Sequence, residues 1–347
     1  MIKQGFLFFF SFFAVLAISE LFIQTSNLAD VSSTEFYDDI GRGRRRDLDY
    51  LYFNEGFGMG RFNQFRYIGE PNPPLKGENT VRIALLGDSY VESFQIFQRN
   101  YFGEVAEDQL ESEFPDKKFE FLNFGRSGFD IGDIYAYQKN FVEKFNPDYI
   151  IYMVANADLI PKYSDPLRPK TILRNDSLVI SFDFNKNEVK MFKMTKFLTQ
   201  YSSILNMIHN GRKKTKSTPL FAILLDKVYF WFNSTKNKPN LSKNEVDNFG
   251  LNPITKKILS SLDSTKVLIF NRDTTELPQF FKHECLENNI KYFDLSEALI
   301  KMKKGGYDPN KWEVTNKIGH WNHAAHRLIG KELARSLNPL VIKENTK

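Results

Sequence analysis

Cysteine is almost missing from the sequence: Cys285 stands alone among 347 residues. One thiol excludes an internal disulfide and a cysteine-based zinc site, and no cysteine near the N-terminus offers itself for lipidation. Cys285 reads as a small core side chain, and it carries no information about compartment. A dominant charge of one sign is lacking as well. The formal +5 is the remainder of 47 basic and 42 acidic side chains, so no basic field points to nucleic acid. The two dense basic runs, Arg42 to Arg46 and Arg212 to Lys216, lack the interleaved aromatics of a strand-binding surface and read as solvated loops. No internal repeat or low-complexity tract stands out. With 42% hydrophobic residues, the chain can still build a substantial core.

The N-terminus is strongly apolar. Behind Lys3, residues Gly5 to Ser19 carry no charge and are crowded with Phe, and Leu21, Phe22 and Ile23 extend the stretch beyond Glu20, which is expected at an interface. Residues 1–28 are therefore expected to be a signal anchor or a signal peptide. The anchor is favoured, although Ala17-Ile18-Ser19 offers a small-x-small cleavage site. The bulk of the chain is then extracytoplasmic, periplasmic or at the cell surface, and secreted if the segment is cleaved. Residues 29–80, polar and closed by Pro71-Asn72-Pro73-Pro74, read as a stalk or lead-in.

Five short apolar runs follow, at Val81 to Gly87, Phe119 to Phe124, Tyr149 to Val154, Val267 to Phe270 and Ile290 to Leu295. Helical patterns lie between them, through Phe102 to Phe114, Ile131 to Phe145 and Leu277 to Asn288, with a last one over His323 to Leu337. Alternation of this kind predicts an α/β fold: a flavodoxin-like three-layer αβα sandwich around a parallel five-stranded sheet, spanning residues 81–340. The stretch from about 159 to 262 breaks the rhythm and reads as an insertion. A hairpin is expected at Leu178 to Val189, a helix at Phe197 to His209, and a surface helix or lid at Leu220 to Phe232.

One turn carries chemistry. Leu85-Leu86-Gly87-Asp88-Ser89-Tyr90 puts a serine at the C-terminal end of a parallel strand, where α/β sheets bind ligands, with a following helix to aim its dipole at developing negative charge. Asp88 is expected to stabilise that turn. Three further pieces follow in order: Leu122-Asn123-Phe124-Gly125-Arg126-Ser127-Gly128, then Val154-Ala155-Asn156, then Gly319-His320-Trp321-Asn322. A serine hydroxyl needs an imidazole to take its proton, and a tetrahedral intermediate needs donors where its oxyanion forms. Ser89, His320, Gly128 and Asn156 can supply these parts.

Those four blocks resemble the SGNH (GDSL-type) hydrolase and acyltransferase superfamily. The resemblance implies Ser89 as nucleophile, His320 as general base and acid, and an oxyanion hole from the Ser89 and Gly128 backbone N–H groups and the Asn156 side chain. It also implies an ester substrate, an acyl ester or acylated glycan, with acylated envelope polysaccharide or lipid among the substrates that membrane-tethered relatives allow. Two departures stand out. The third block usually reads Gly-x-Asn-Asp, whereas Asp158 here falls one place late. The fourth usually has an acid two or three residues before the His, and Ile318 and Lys317 occupy those places. A backbone carbonyl, or Asp308 brought in by the loop Gly305 to Asn316, is the expected substitute. The alternative function is a catalytically weak binding or assembly protein of an envelope polysaccharide system. No cofactor is expected. His320, His323 and His326 are spaced by three but have no placed carboxylate or thiolate partner, so they do not read as a metal site.

Overall fold

The computed structural model describes residues 2–25, 33–52, 54–214 and 250–344. Its first elements are α1 (Ile2–Thr25), β1 (Thr34–Tyr37), β2 (Gly41–Arg44), β3 (Leu48–Tyr52), β4 (Gly58–Phe62), β5 (Thr80–Gly87), α2 (Ser89–Glu92) and α3 (Phe102–Glu113). The middle of the chain holds β6 (Lys118–Asn123), α4 (Ile131–Asn140), β7 (Tyr149–Val154), β8 (Lys170–Arg174), β9 (Ser177–Ser181), α5 (Lys186–Tyr201) and α6 (Ser203–Lys214). After these come α7 (Pro253–Ser261), β10 (Val267–Asn271), α8 (Gln279–Glu287), β11 (Lys291–Asp294), α9 (Ser296–Lys304), β12 (Lys311–Trp312), β13 (Lys317–Ile318) and α10 (His323–Glu344). They form two units, one of residues 1–33 and 186–249, the other of residues 34–185 and 250–347.

The larger unit is the three-layer α/β sandwich that the apolar runs predict. Its sheet has the order β11-β10-β7-β5-β6, every neighbour parallel. Counted along the chain this is 2-1-3-4-5, the flavodoxin-like order. All eight residues of β5 and all six of β7 are buried, as strands covered on both faces must be. Side chains alternate between the faces. Ala84, Leu86, Ile150, Tyr152 and Val154 meet Ile134 of α4, Leu259 of α7 and Phe281 of α8, whereas Ile83, Leu85, Ile151 and Met153 meet Phe102 of α3, Leu299 of α9 and Leu333 of α10. Each such aliphatic side chain contributes about 1.5–3 kcal/mol of burial. Because β6 and β7 flank β5 on opposite sides, the chain reverses direction across the sheet at β5, and Ser89 follows that point.

Four expectations need correction. Residues 34–80 are not an extended stalk: β1–β2 and β3–β4 are antiparallel hairpins, and Ile40, Phe62 and Tyr67 are core residues. Apart from the short run Tyr50-Leu51-Tyr52-Phe53, the apolar side chains are scattered among Gly, Asp and Arg, so the local pattern hides them. In the insertion, the hairpin is β8–β9 and lies earlier than expected, its two-residue turn formed by Asn175 and Asp176 at φ of 51° and 58°. Such a turn matches the twist of paired strands and suits Asn and Asp. The insertion also ends sooner, because α7, started by the Asn252 cap and Pro253, buries Ile258 and Leu259 in the core. The expected helix at Phe197 to His209 is two helices, α5 and α6, meeting at Ser202. The apolar piece Leu220 to Phe232 lies outside the described residues.

Candidate active site

The turn that carries Ser89 is built by close approach. A Cβ on Gly87 would lie 2.5 Å from Val91 Cγ2 and 2.7 Å from the Met153 carbonyl, so only glycine lets β5 turn this tightly against β7. Asp88 caps the turn by accepting from the Tyr90 N–H at 2.9 Å, and Ser93 in the left-handed region ends the helix after one turn. The helix directly behind Ser89 is this single turn, and α3 is separate, so the dipole's contribution is limited. Behind the turn, Gly125 is equally obligatory, since a Cβ there would overlap the Glu92 N–H. Glu92 is fully buried, accepting from the Ser127 N–H at 2.9 Å and from Arg44 Nε at 2.7 Å. Burial pushes its carboxyl up, but the Arg44 and Arg126 guanidiniums beside it hold it below its usual value.

His320 meets the serine directly. Its Nε2 lies 2.8 Å from Ser89 Oγ. Its Nδ1 lies 2.8 Å and 3.0 Å from the two carboxylate oxygens of Glu55, which also accepts from the His320 backbone N–H at 2.7 Å. The acid absent before His320 in the sequence thus comes from the turn between β3 and β4, 265 residues away. The supports around this pair are specific. Lys317 Nζ donates to the Asn54 carbonyl at 2.6 Å, and Thr315 Oγ1 donates to the Glu55 carbonyl. A Cβ on Gly319 would overlap the Glu55 carboxyl, and one on Gly56 would overlap the Trp312 ring. Trp312 Nε1 donates to the His320 carbonyl at 3.0 Å, and the Tyr90 ring packs 4.8 Å from the imidazole. Burial raises the Glu55 carboxyl, but the donors from His320 and the nearby Lys317 cation outweigh it and leave it below the usual range.

Gly128 and Asn156 stand past the C-terminal ends of β6 and β7, the neighbours of the serine's strand. Gly128 adopts φ of +74°. Arg168 Nη2 donates to the Ser127 carbonyl at 2.8 Å and Nη1 to the Gly128 carbonyl at 2.9 Å. A trans peptide points its N–H away from its C=O, so holding the Ser127 carbonyl turns the Gly128 N–H away from Arg168. Neither that N–H nor the half-buried Asn156 amide has a hydrogen-bond partner among the described residues. Asp158, displaced from the usual block, still fastens the Asn156 turn: it accepts from the Ala155 N–H at 2.9 Å. Arg272 Nη2 then joins Asp158 at 2.9 Å to Asp88 at 2.7 Å, with its guanidinium 4.4 Å from the Tyr90 ring. The ends of β5, β7 and β10 are tied together by that cation. Burial and the adjacent Asp158 push the Asp88 carboxyl up to about 6, against the pull of Arg272.

The remaining candidates lie elsewhere. Asp308 does not reach His320; it accepts from the Asn310 N–H at 3.0 Å and sits 3.4 Å from Lys303 Nζ. The carboxylate position on His320 is filled by Glu55, and Asp308 serves its own loop. His326 is fully buried, its Nδ1 accepting from the Phe102 N–H at 3.3 Å, and burial pushes its pKa down to about 3. Sequence reasoning missed Glu55, Arg168 and Arg272. The available signal for Glu55 was an acid within the turn-like Asn54-Glu55-Gly56, unremarkable until the hairpin is folded.

No family model matches the chain, and no curated protein matches it. Among solved structures it is similar to a two-domain esterase active on acetylated mannans, at 13% identity and a TM-score of 0.37, covering 75% of this chain and 50% of that one. The chain thus spans half the length of that esterase. It is also similar to a lipase/acylhydrolase from Enterococcus faecalis, at 13% identity and a TM-score of 0.35, over 74% of this chain and 95% of that one. A psychrotrophic esterase from Pseudoalteromonas sp. gives 11% identity and a TM-score of 0.35, over 76% and 99% of the two chains.

Proposed function

We propose that the protein is a membrane-anchored, serine-dependent ester hydrolase or O-acyltransferase. The observation that carries this reading is the continuous chain from Ser89 Oγ through His320 to Glu55, with 2.8 Å at each of its two links. In the proposed reaction, Ser89 Oγ attacks the ester carbonyl while His320 Nε2 takes the hydroxyl proton. The N–H groups of Ser89 and Gly128 and the Asn156 amide hold the oxyanion. His320 returns the proton to the departing alcohol, leaving an acyl group on Ser89, and then deprotonates the water or sugar hydroxyl that removes it. Glu55 keeps the other imidazole proton on Nδ1 and offsets the imidazolium charge.

Acyl esters and acetylated glycans are the substrate class we propose. Helix α1 is the proposed anchor; the 22 residues Gln4–Thr25 are long and apolar enough to cross a membrane, and the rest of the chain is assigned to the extracytoplasmic side. The alternative of a weak binding or assembly protein rests on a missing acid, and with Glu55 on Nδ1 no observation favours it. Hydrolysis of p-nitrophenyl acetate and of acetylated glycans by the full-length protein tests the reading. Activity should appear in the wild type and vanish in Ser89→Ala; activity surviving in Ser89→Ala, or absent from a folded wild type, would overturn it.

A further inference from the structure

Helix α1 carries more than an anchor needs. Glu20 is the only charged residue among Gln4–Thr25, and a carboxylate in an apolar helix is costly unless its oxygens are bonded. They are. Glu20 accepts from Ser202 Oγ at 3.0 Å, from the Ile204 N–H at 3.1 Å and from the Ser203 N–H. These are the donors at the start of α6, which has no intrahelical acceptors for its first N–H groups and attracts negative charge there. The last turns of α1 are thereby fastened to the junction where α5 ends and α6 begins.

Helix α5 has no buried residue and keeps large apolar side chains in the open. Met191, Met194, Leu198 and Tyr201 recur at intervals of three, four and three, so they share one face, and Phe197 borders it. Phe197 is 61% exposed and Tyr201 71%. Lys186, Lys193 and Gln200 occupy the adjoining arc. The aromatic end of the face lies at Ser202, beside Glu20. That is the level at which α1, read as the anchor, leaves the bilayer, and there aromatic side chains concentrate while lysines extend toward headgroups.

We infer that α5 is an interfacial helix lying in the leaflet surface from which α1 emerges, with its Met191–Tyr201 face turned to the acyl boundary and the Glu20–α6 joint fixing its depth. This rests on α1 being the anchor. The occupant of the face is the bilayer surface itself, a second contact within one insertion-bearing unit.

Environment-sensitive nitrobenzoxadiazole labels on the full-length protein in phosphatidylcholine–phosphatidylglycerol vesicles test this. They are placed singly through Phe10→Cys, Phe197→Cys, Tyr201→Cys and Gln200→Cys, with Cys285, fully buried, left unreacted. Labels at Phe197→Cys and Tyr201→Cys should be quenched by doxyl-bearing lipid to an extent comparable with Phe10→Cys and shielded from aqueous iodide, while Gln200→Cys shows the reverse. If the labels at 197 and 201 behave like that at 200, the inference is overturned. Shielding from both quenchers overturns it too, because protein then covers the face. Failure of the anchor reading has its own signature, a Phe10→Cys label that doxyl lipid does not quench, and it removes both.

Discussion

At the scale of single residues, the decisive finding is that the acid behind His320 is Glu55. Two carboxylate oxygens on Nδ1 and one on the backbone N–H hold the ring in one orientation and one tautomer. Glu55→Gln keeps the shape but can present an amide N–H where an acceptor is needed. We expect kcat on p-nitrophenyl acetate to fall by about 1,000- to 10,000-fold with little change in KM. Because the Glu55 carboxyl is held below its usual range, it stays ionised above the unfolded-state value and loses its effect only as pH drops through the lower folded value. The gap between wild type and Glu55→Gln should therefore be constant across neutral pH and narrow only below the ordinary carboxylate range. A gap that closes near neutrality in stopped-flow rates would contradict the assignment. Ser89, Gly128 and Asn156 could be picked out as candidates because each closely follows an apolar run, and His320 because it lies just before the last helical pattern. Glu55 was not, since no spacing rule reaches 265 residues along the chain.

At the scale of elements, β5, β6, β7 and β10 were readable as runs because a parallel sheet buries both of their faces, while the edge strand β11 is only partly covered. The hairpins were not. β3 and β4 bury only one side and contain Gly58 and Gly60, so their sequence looks like a loop. The seat of the Glu55 carboxyl against His320 depends on Gly319, where any Cβ would overlap that carboxyl. Gly319→Ala should push the Glu55 carboxylate off His320, lowering kcat at least 100-fold while circular dichroism remains native. A fully active Gly319→Ala protein would show that Glu55 is dispensable. The short helix after Ser89 teaches a related lesson: Ser93 in the left-handed region stops it, a signal too weak to read without the fold.

At the scale of the whole molecule, stability should carry a pH signature independent of the site. Glu107 on α3 accepts from the Phe121 N–H at 3.2 Å, and burial, with Glu104 nearby, pushes its pKa up to about 8. The neutral form suits the fold, so stability is full below the unfolded value of about 4.3 and erodes as pH rises through 8. Relative to wild type, Glu107→Gln should gain about 2–4 °C in Tm at pH 8.5 and nothing at pH 5 by scanning calorimetry. Equal differences at both pH values would show that Glu107 titrates normally. The proposed activity depends on Ser89 being the nucleophile. Reaction of the full-length protein with a fluorophosphonate, followed by peptide mass mapping, tests that most directly. The expected result is one adduct on Ser89, absent from Ser89→Ala and formed far more slowly by Glu55→Gln; labelling that persists in Ser89→Ala, or a folded wild type that never reacts, would contradict it.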